Sequence, residues 1–370
     1  MTEQLFELPE SYLAIIEEAK KVAQQVAPYA HHADEADHFD PNVRQILAES
    51  GLCSLTVPKK FGGRFEEVDS LAVTVVREQL AYESAHVDSM FCMQGIGSYA
   101  LAQAGSPALQ EAWLPAVGRL ESIAALGLTE PDVGSDLRAI TTTIEVEGDL
   151  LRINGHKSFI TNAGDADFYT MLGKETVGGE IAYSLVLIPA STPGLSVSHP
   201  HQIIAPHVLG DVIMKDVMVP SSHRIGEPGK GFNLVLATLS TFRVSVAGAA
   251  IGIAQAALDE ATKHAAGREQ FGVPLARLGG IPAQLANSWA EIEMARALTY
   301  RAAAASARDA RANLYLSSLA KAGATEMSGR VVDRAVQIMG RFGIVRGSKI
   351  ERLYREARPL RIYEGATEVI

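Results

Sequence analysis

Thr142-Thr143-Ile144-Glu145-Val146-Glu147-Gly148-Asp149-Leu150-Leu151-Arg152-Ile153 decides the fold of this 370-residue chain. Thr142, Ile144 and Val146 alternate with their neighbours at a period of about 2, the pattern of a half-buried strand. Gly148-Asp149 supplies a turn, and Leu151 and Ile153 resume the alternation. Asn154-Gly155 reads as a second hairpin signal. Further on, Ser184 to Ile188 is a short apolar run closed by Pro189, as in a buried strand, and Val212, Met214, Val217 and Val219 precede Pro220. A β region therefore spans roughly Ile123 to Pro220.

On both sides the period returns to about 3.6 residues. Upstream, Tyr12, Ile15, Ile16, Ala19, Val22 and Ala23 form the stripe of an amphipathic helix. Pro41 to Gly51 predicts a helix with Gly51 as its C-cap, Pro58 to Gly63 a loop, and Ser70 to about Gln103 renewed helix. Downstream of Gly226-Glu227-Pro228-Gly229, three long helices are predicted over Phe232–Ala266, Pro282–Asp309 and Asn313–Phe342. Ala247, Gly248, Ala249 and Gly252 are small enough to let helices approach closely. The order helices, strands, helices excludes a doubly wound nucleotide fold, which alternates strands with helices. The expected architecture is multidomain α+β. It has an N-terminal α-helical domain (1–120), a middle β-barrel-like or sandwich domain (121–228) and a C-terminal four-helix bundle (229–370).

Composition narrows the function classes. A net charge of −10 argues against nucleic-acid binding, which needs clustered Lys and Arg. Cys53 and Cys92 are too few for a disulfide framework or a four-Cys metal site, and free buried thiols in a reducing cytoplasm are expected. Met1-Thr2-Glu3-Gln4 does not begin an export signal. The longest apolar run, Val246 to Ala254, falls short of the roughly 18 residues of a membrane span, so no membrane insertion is expected. His31, His32 and His38 among Asp34, Asp37 and Asp40 match no common ligand spacing and read as a solvated loop, and no metal is expected. His199, His201 and His207 read as loop residues beside strand ends.

Two distant segments carry the chemistry: Leu128-Thr129-Glu130-Pro131-Asp132-Val133-Gly134-Ser135-Asp136 and Ile362-Tyr363-Glu364-Gly365-Ala366-Thr367-Glu368. Together they resemble the signature regions of the acyl-CoA dehydrogenase family, and the resemblance covers nearly the whole chain. It implies an FAD between the β domain and the helical bundle of a homotetramer or dimer. Leu126, Leu128, Thr129, Gly134 and Ser135 would hold the flavin through backbone N–H groups and hydroxyls. Asn154 to Asn162 resembles the family's second flavin segment, with Thr161 near the hydride-accepting nitrogen and Phe159 where many relatives carry Trp. Arg268, Gln270 and Phe271 resemble an Arg-x-x-Phe-Gly element that reaches the diphosphate of a neighbouring subunit's FAD. Gln337 and Gly340 resemble a further cofactor segment, and Thr367 is a last cofactor contact.

Glu364 is the expected catalytic base, abstracting the α proton of an acyl thioester while the β hydrogen leaves as hydride. Its backbone N–H would help polarise the thioester carbonyl. Relatives with the base on the first long bundle helix place it directly before the Arg matched by Arg243; here that position is Phe242. Ser135, Ser240, Arg243, Tyr363 and Gly365 are the expected substrate contacts. The soft apolar run Met90-Phe91-Cys92-Met93-Gln94 is the expected pocket floor.

The chain also departs from the family. Ile203–Leu209 keeps none of the usual Gly-x-Arg-x-Ser-x-Thr stretch. Ser240 replaces an Asp, Gly279 and Pro282 replace Gln, Arg341 replaces a Gly, Ala366 replaces a Thr, and the chain stops at Ile370 where relatives continue. The expected substrate is therefore an acyl-CoA or an acyl group on a carrier, with an electron-transfer-flavoprotein-type acceptor. The alternatives are an acyl-CoA oxidase and a flavin-binding module without dehydrogenase activity.

Overall fold

The computed structural model describes residues 8–370 apart from Pro206. Met1-Thr2-Glu3-Gln4 and the Pro206 position within Ile203–Leu209 lie outside the described residues. Helices come first: α1 (Glu10–Val26), α2 (Ala30–Ala33), α3 (Pro41–Ser50), α4 (Ser70–Glu83), α5 (Ala85–Ala104) and α6 (Pro107–Gly118). Strands follow: β1 (Ala124–Gly127), β2 (Thr143–Glu147), β3 (Leu150–Thr161), β4 (Phe168–Val177), β5 (Glu180–Pro189), β6 (Leu195–Ser198), β7 (Leu209–Pro220) and β8 (Arg224–Ile225). The remainder is α7 (Gly231–Gly267), the short pair β9 (Glu269–Gln270) and β10 (Val273–Pro274), α8 (Ile281–Arg308), α9 (Leu314–Met339) and α10 (Lys349–Ala357).

These elements group into two compact units. One comprises the described part of Met1–Glu35, Ser70–Asp88 and Arg243–Ile370; the other comprises Ala36–Asp69 and Ser89–Phe242. The division falls inside α5 and inside α7.

In the helical unit α1 packs on α4, α4 on α8, and α9 on both α8 and α10. The apolar run Val246–Ala254 is core, every residue of it buried, Gly248 and Gly252 included. At Gly248 and Gly252 a Cβ would lie 2.4 Å from the Thr74 carbonyl oxygen and 2.1 Å from that of Glu78. Only glycine permits α7 to run this close to α4. The predicted helical stretch Ser70–Gln103 is two helices. Ser84 interrupts it, accepting from the Val87 N–H at 3.4 Å as an N-cap and donating to Asp34 at 2.8 Å.

In the β unit the eight-stranded sheet has the order β6-β7-β3-β2-β4-β5-β8, with β1 parallel to β4. Phe168, Leu172, Leu185, Leu187 and Ile225 from the sheet pack with Leu101, Leu109, Leu114 and Val117 of α5 and α6. Each such fully buried side chain contributes about 1.5–3 kcal/mol. The α3 helix begins on Asp40, whose carboxylate accepts from the N–H groups of Asn42 and Val43 at 2.9 and 3.1 Å. It ends at Gly51, left-handed at φ 67°, as the C-cap reading expected.

Asn154-Gly155 is not a hairpin turn. It lies inside β3 at a bulge against β7, between Ile153 and Gly155. Gly155 is required there because a Cβ would meet the Thr142 hydroxyl at 2.3 Å. A glycine that serves close packing and one that serves a turn look alike in sequence. A second irregularity between Lys157 and Ile160 puts Phe159 at φ 56° and turns its ring outward, 51% exposed. The ninth helix is shorter than predicted: it stops at Met339, and Gly340 at φ 58° opens a 3₁₀ turn.

The loop after β1 is anchored by one carboxylate. Glu130 accepts from the N–H and hydroxyl of Thr141 at 2.5 and 2.6 Å, from those of Thr142 at 3.0 and 2.6 Å, and from Lys157 Nζ at 2.9 Å. Lys157 also donates to the Leu128 carbonyl at 3.0 Å, tying the loop's start to β3. Burial would push the Glu130 carboxyl up, but these donors outweigh it and bring it down to about 2.

Gly252→Ala should destabilise the protein by about 1–3 kcal/mol through overpacking on α4, read as a lowered midpoint in chemical denaturation. Glu130→Gln should cost about 3 kcal/mol at neutral pH, because it leaves Lys157 buried without its counter-ion. The depressed carboxyl stabilises the fold above its ordinary value of 4.5 and loses that contribution as pH falls toward about 2. The gap between parent and variant should therefore narrow in denaturation curves taken below pH 4.5.

Candidate active site

In the helical unit, Glu364 follows the 3₁₀ turn Pro359–Arg361 and adopts a left-handed backbone at φ 52°. Gly365 is left-handed as well, at φ 103°, and a Cβ there would meet Ile370 at 2.2 Å. The Glu-Gly pair is thus a conformational requirement of this turn. Arg243 of α7 donates from Nε to the Glu364 carbonyl at 3.0 Å and from Nη1 to Ser318 at 3.0 Å. Lys321 of α9, fully buried, donates to the Gly365 carbonyl at 2.6 Å. Downstream, Thr367 donates to Glu326 at 3.0 Å, and Glu326 also accepts from Arg361 at 2.8 Å. Thr367 in this way helps to hold the turn.

The Glu364 side chain is 14% exposed, and its Oε1 lies 3.9 Å from Nη1 of Arg77. Its Oε2 is buried and has no hydrogen-bond partner among the described residues. Its backbone N–H also carries no hydrogen bond among the described residues. Burial raises the carboxyl above its ordinary value, opposed by the charges of Arg77, Arg243 and Lys321. Burial also pulls the Lys321 ammonium down, to about 8. Arg77 and Asp88 were not legible as site residues in the sequence. Arg77 spends Nε and Nη2 on Asp88, both at 2.8 Å, and Nη1 on Ser245 at 3.0 Å. The one available signal was a charged residue amid the apolar Ala72–Leu80 face of a buried helix. Tyr363 is 41% exposed beside Glu364.

Elsewhere in this unit the Arg-x-x-Phe-Gly element forms the β9–β10 hairpin, with Phe271 at its tip, left-handed and 95% exposed. Arg268 and Gln270 are exposed, and the Gln270 amide donates back to the Glu269 carbonyl at 2.7 Å. The Arg268 guanidinium lies over the Phe342 ring at 5.9 Å, and that of Arg341 at 5.1 Å. Arg268 is therefore brought together with the turn that opens at Gly340, while Gln337 is exposed on the last turn of α9.

In the β unit, Gly134 and Ser135 are exposed at the loop tip, and Leu126, Leu128 and Thr129 are half-buried. Thr129 is fixed by its carbonyl, which accepts from the Ser158 N–H at 2.9 Å; its hydroxyl has no partner among the described residues. Phe159 stacks on His201 with ring centroids 4.0 Å apart and planes at 15°. Asp211 holds this pair, accepting from Ser158 Oγ at 2.7 Å and contacting His156 and His201 at 2.8 and 2.9 Å. Thr161 Oγ1 lies 3.3 Å from His207, which also reaches Ser89 at 3.2 Å. His201 and His207, read from sequence as loop residues, thus hold the segment that carries Phe159 and Thr161. His38 likewise is bonded, to Asp165 at 3.0 Å.

Ser240 is buried and donates to the Leu236 carbonyl at 2.7 Å. Phe242 is buried edge-on against Tyr99, 5.7 Å between ring centroids. Met90 to Gln94 are all buried, and the Gln94 amide oxygen accepts from the Ala124 N–H at 3.3 Å. Cys53 and Cys92 are buried and form no disulfide among the described residues, and burial pushes the Cys53 thiol up to about 12.

Comparison with known proteins places this geometry. Residues 9–121, 125–217 and 229–370 match, in order, the N-terminal, middle and C-terminal domains of acyl-CoA dehydrogenase. The chain is 32% identical over 368 residues to cyclohexane-1-carbonyl-CoA dehydrogenase of Geobacter metallireducens, covering 99% of this chain and 96% of that one. Butyryl-CoA dehydrogenase of Megasphaera elsdenii superposes with a TM-score of 0.92 at 29% identity, over 98% of this chain and 96% of that chain. An acyl-CoA dehydrogenase of Bacillus anthracis complexed with FAD shares the fold at 24% identity, with a TM-score of 0.87 over 98% of this chain and 65% of that chain. Helical N- and C-terminal regions with strands between them in sequence, three matched domains and near-complete coverage agree: the chain belongs to the acyl-CoA dehydrogenase family of flavin oxidoreductases.

Proposed function

We propose that this protein is an FAD-dependent dehydrogenase that introduces a trans double bond between Cα and Cβ of a saturated acyl thioester, with Glu364 as its base. The observation that carries this reading is the buried Oε2 of Glu364, without a hydrogen-bond donor among the described residues and surrounded by cations that bind elsewhere. A carboxylate whose lone pairs are not occupied is free to take a proton, and burial gives it the basicity to do so. The Glu364 N–H is likewise free to donate to the thioester carbonyl as negative charge builds there.

The residues present fit FAD. The free hydroxyl of Thr129 and the exposed Gly134 and Ser135 supply donors of the kind a flavin ring's oxygens and nitrogens accept. Phe159 offers an exposed aromatic ring. Arg268 and Arg341 supply exposed guanidinium groups suited to a diphosphate, and the exposed Phe271 at the hairpin tip suits burial by a second subunit. When bound, FAD supplies the hydride acceptor. Leu126, Leu128, Thr161, Gln270, Gln337, Gly340 and Thr367 complete the proposed cofactor set, and Ser135, Ser240, Arg243, Tyr363 and Gly365 the substrate set. The division at 1–120, 121–228 and 229–370, a homotetramer or dimer, a cytoplasmic location, fatty-acid metabolism and an electron-transfer flavoprotein as acceptor belong to the same reading.

CoA is the leading acyl carrier. A carrier protein is the second reading, favoured by Ser240, which is buried with its hydroxyl committed to its own helix where relatives carry an Asp. Turnover of a carrier-bound acyl group together with failure to turn over any free acyl-CoA would decide for it.

Anaerobic titration of the FAD-loaded protein with a panel of acyl-CoAs tests the central assignment. Some acyl-CoA should bleach the flavin of the parent, and Glu364→Gln should bind the same ligand yet react about 10²–10⁴-fold more slowly. Equal bleaching rates in parent and variant would remove Glu364 as the base.

A further inference from the structure

We propose that Arg77, held by Asp88, is a positioning residue that keeps the Glu364 carboxylate ionised and aimed while leaving its lone pairs unoccupied. This rests on the reading of Glu364 as the base. Arg77 is 2% exposed on α4, and the two-pronged contact with Asp88 fixes the plane of its guanidinium. Ser245 on α7 takes a donor from Nη1. The same Nη1 approaches Glu364 Oε1 only to 3.9 Å, too far for a hydrogen bond and close enough for charge attraction. Asp88 thus sets the distance: it draws the guanidinium toward α5, so that the cation faces the base without capturing it.

Charged and polar groups around Glu364 come from four helices. They are Arg77 on α4, Asp88 on α5, Arg243 and Ser245 on α7, and Ser318 and Lys321 on α9. Arg243 and Lys321 bond to the carbonyls of Glu364 and Gly365, so they hold the turn. Arg77 is the one cation of the three directed at the carboxylate itself. The raised carboxyl, with Arg77 the strongest opposing charge and Asp88 a reinforcing one, agrees with this geometry.

Opposite charge changes at the two positions test the proposal. Glu364 can be titrated in the FAD-loaded protein by infrared spectroscopy, its protonated C=O band assigned by loss in Glu364→Gln, and the pH profile of the bleaching rate measured alongside. Arg77→Gln should move the Glu364 titration, and the acid limb of the profile, up by about one pH unit; Asp88→Asn should move both down. Arg77→Lys, which keeps the charge, should stay within about half a unit of the parent. A buried pair that merely braces the helices would lower stability without shifts of opposite sign. Superimposable infrared titrations in the parent and Asp88→Asn, or in the parent and a folded Arg77→Gln, would overturn the proposal. The infrared titration needs no turnover, so it decides the role of Arg77 even if Glu364→Gln still bleaches and the base assignment fails.

Discussion

A carboxylate oxygen buried without a donor is costly, and the turn at Glu364 exists to make one tolerable. The three cations around it do not form hydrogen bonds to the carboxylate. Arg243 and Lys321 bind backbone carbonyls, and Arg77 stands off at 3.9 Å. Positive charge is delivered to the site while the lone pairs stay open. Gly365 and the left-handed Glu364 are the conformational conditions for this arrangement, since the two carbonyls must turn toward α7 and α9 together.

Glu130 shows the opposite solution with the same side chain. It receives five donor contacts and is driven down to about 2, whereas the Glu364 carboxylate has none among the described residues and is raised. Burial acts in the same direction on both, so the number of donors decides the outcome. Glu130 is thereby a charged structural anchor, whereas burial holds the Glu364 carboxyl above its ordinary value.

Much of the fold was legible because it rests on local rules. The Gly51 cap, the period change near Thr142 and the long Ala-rich helices are encoded within a few residues of where they act. Where the reading failed, the cause was a partner distant in sequence. Gly155 mimics a turn but answers to Thr142, and Ser84 divides a helix in concert with Asp34. The site divides in the same way. Glu364-Gly365 stood out as a motif, but Arg77 and Asp88, eleven residues apart on two helices, carry no motif. Their meaning depends on a residue nearly three hundred positions away. His201 and His207 were likewise invisible as supports of β3, because loop histidines reveal nothing until their acceptors are known.

The stack of His201 on Phe159 has a geometric consequence. With planes at 15° and centroids 4.0 Å apart, one face of the Phe159 ring is already occupied. A further planar group can lie flat on that ring from the other side alone. The pair therefore acts as a one-sided shelf, and stacking on it is confined to the side turned away from His201.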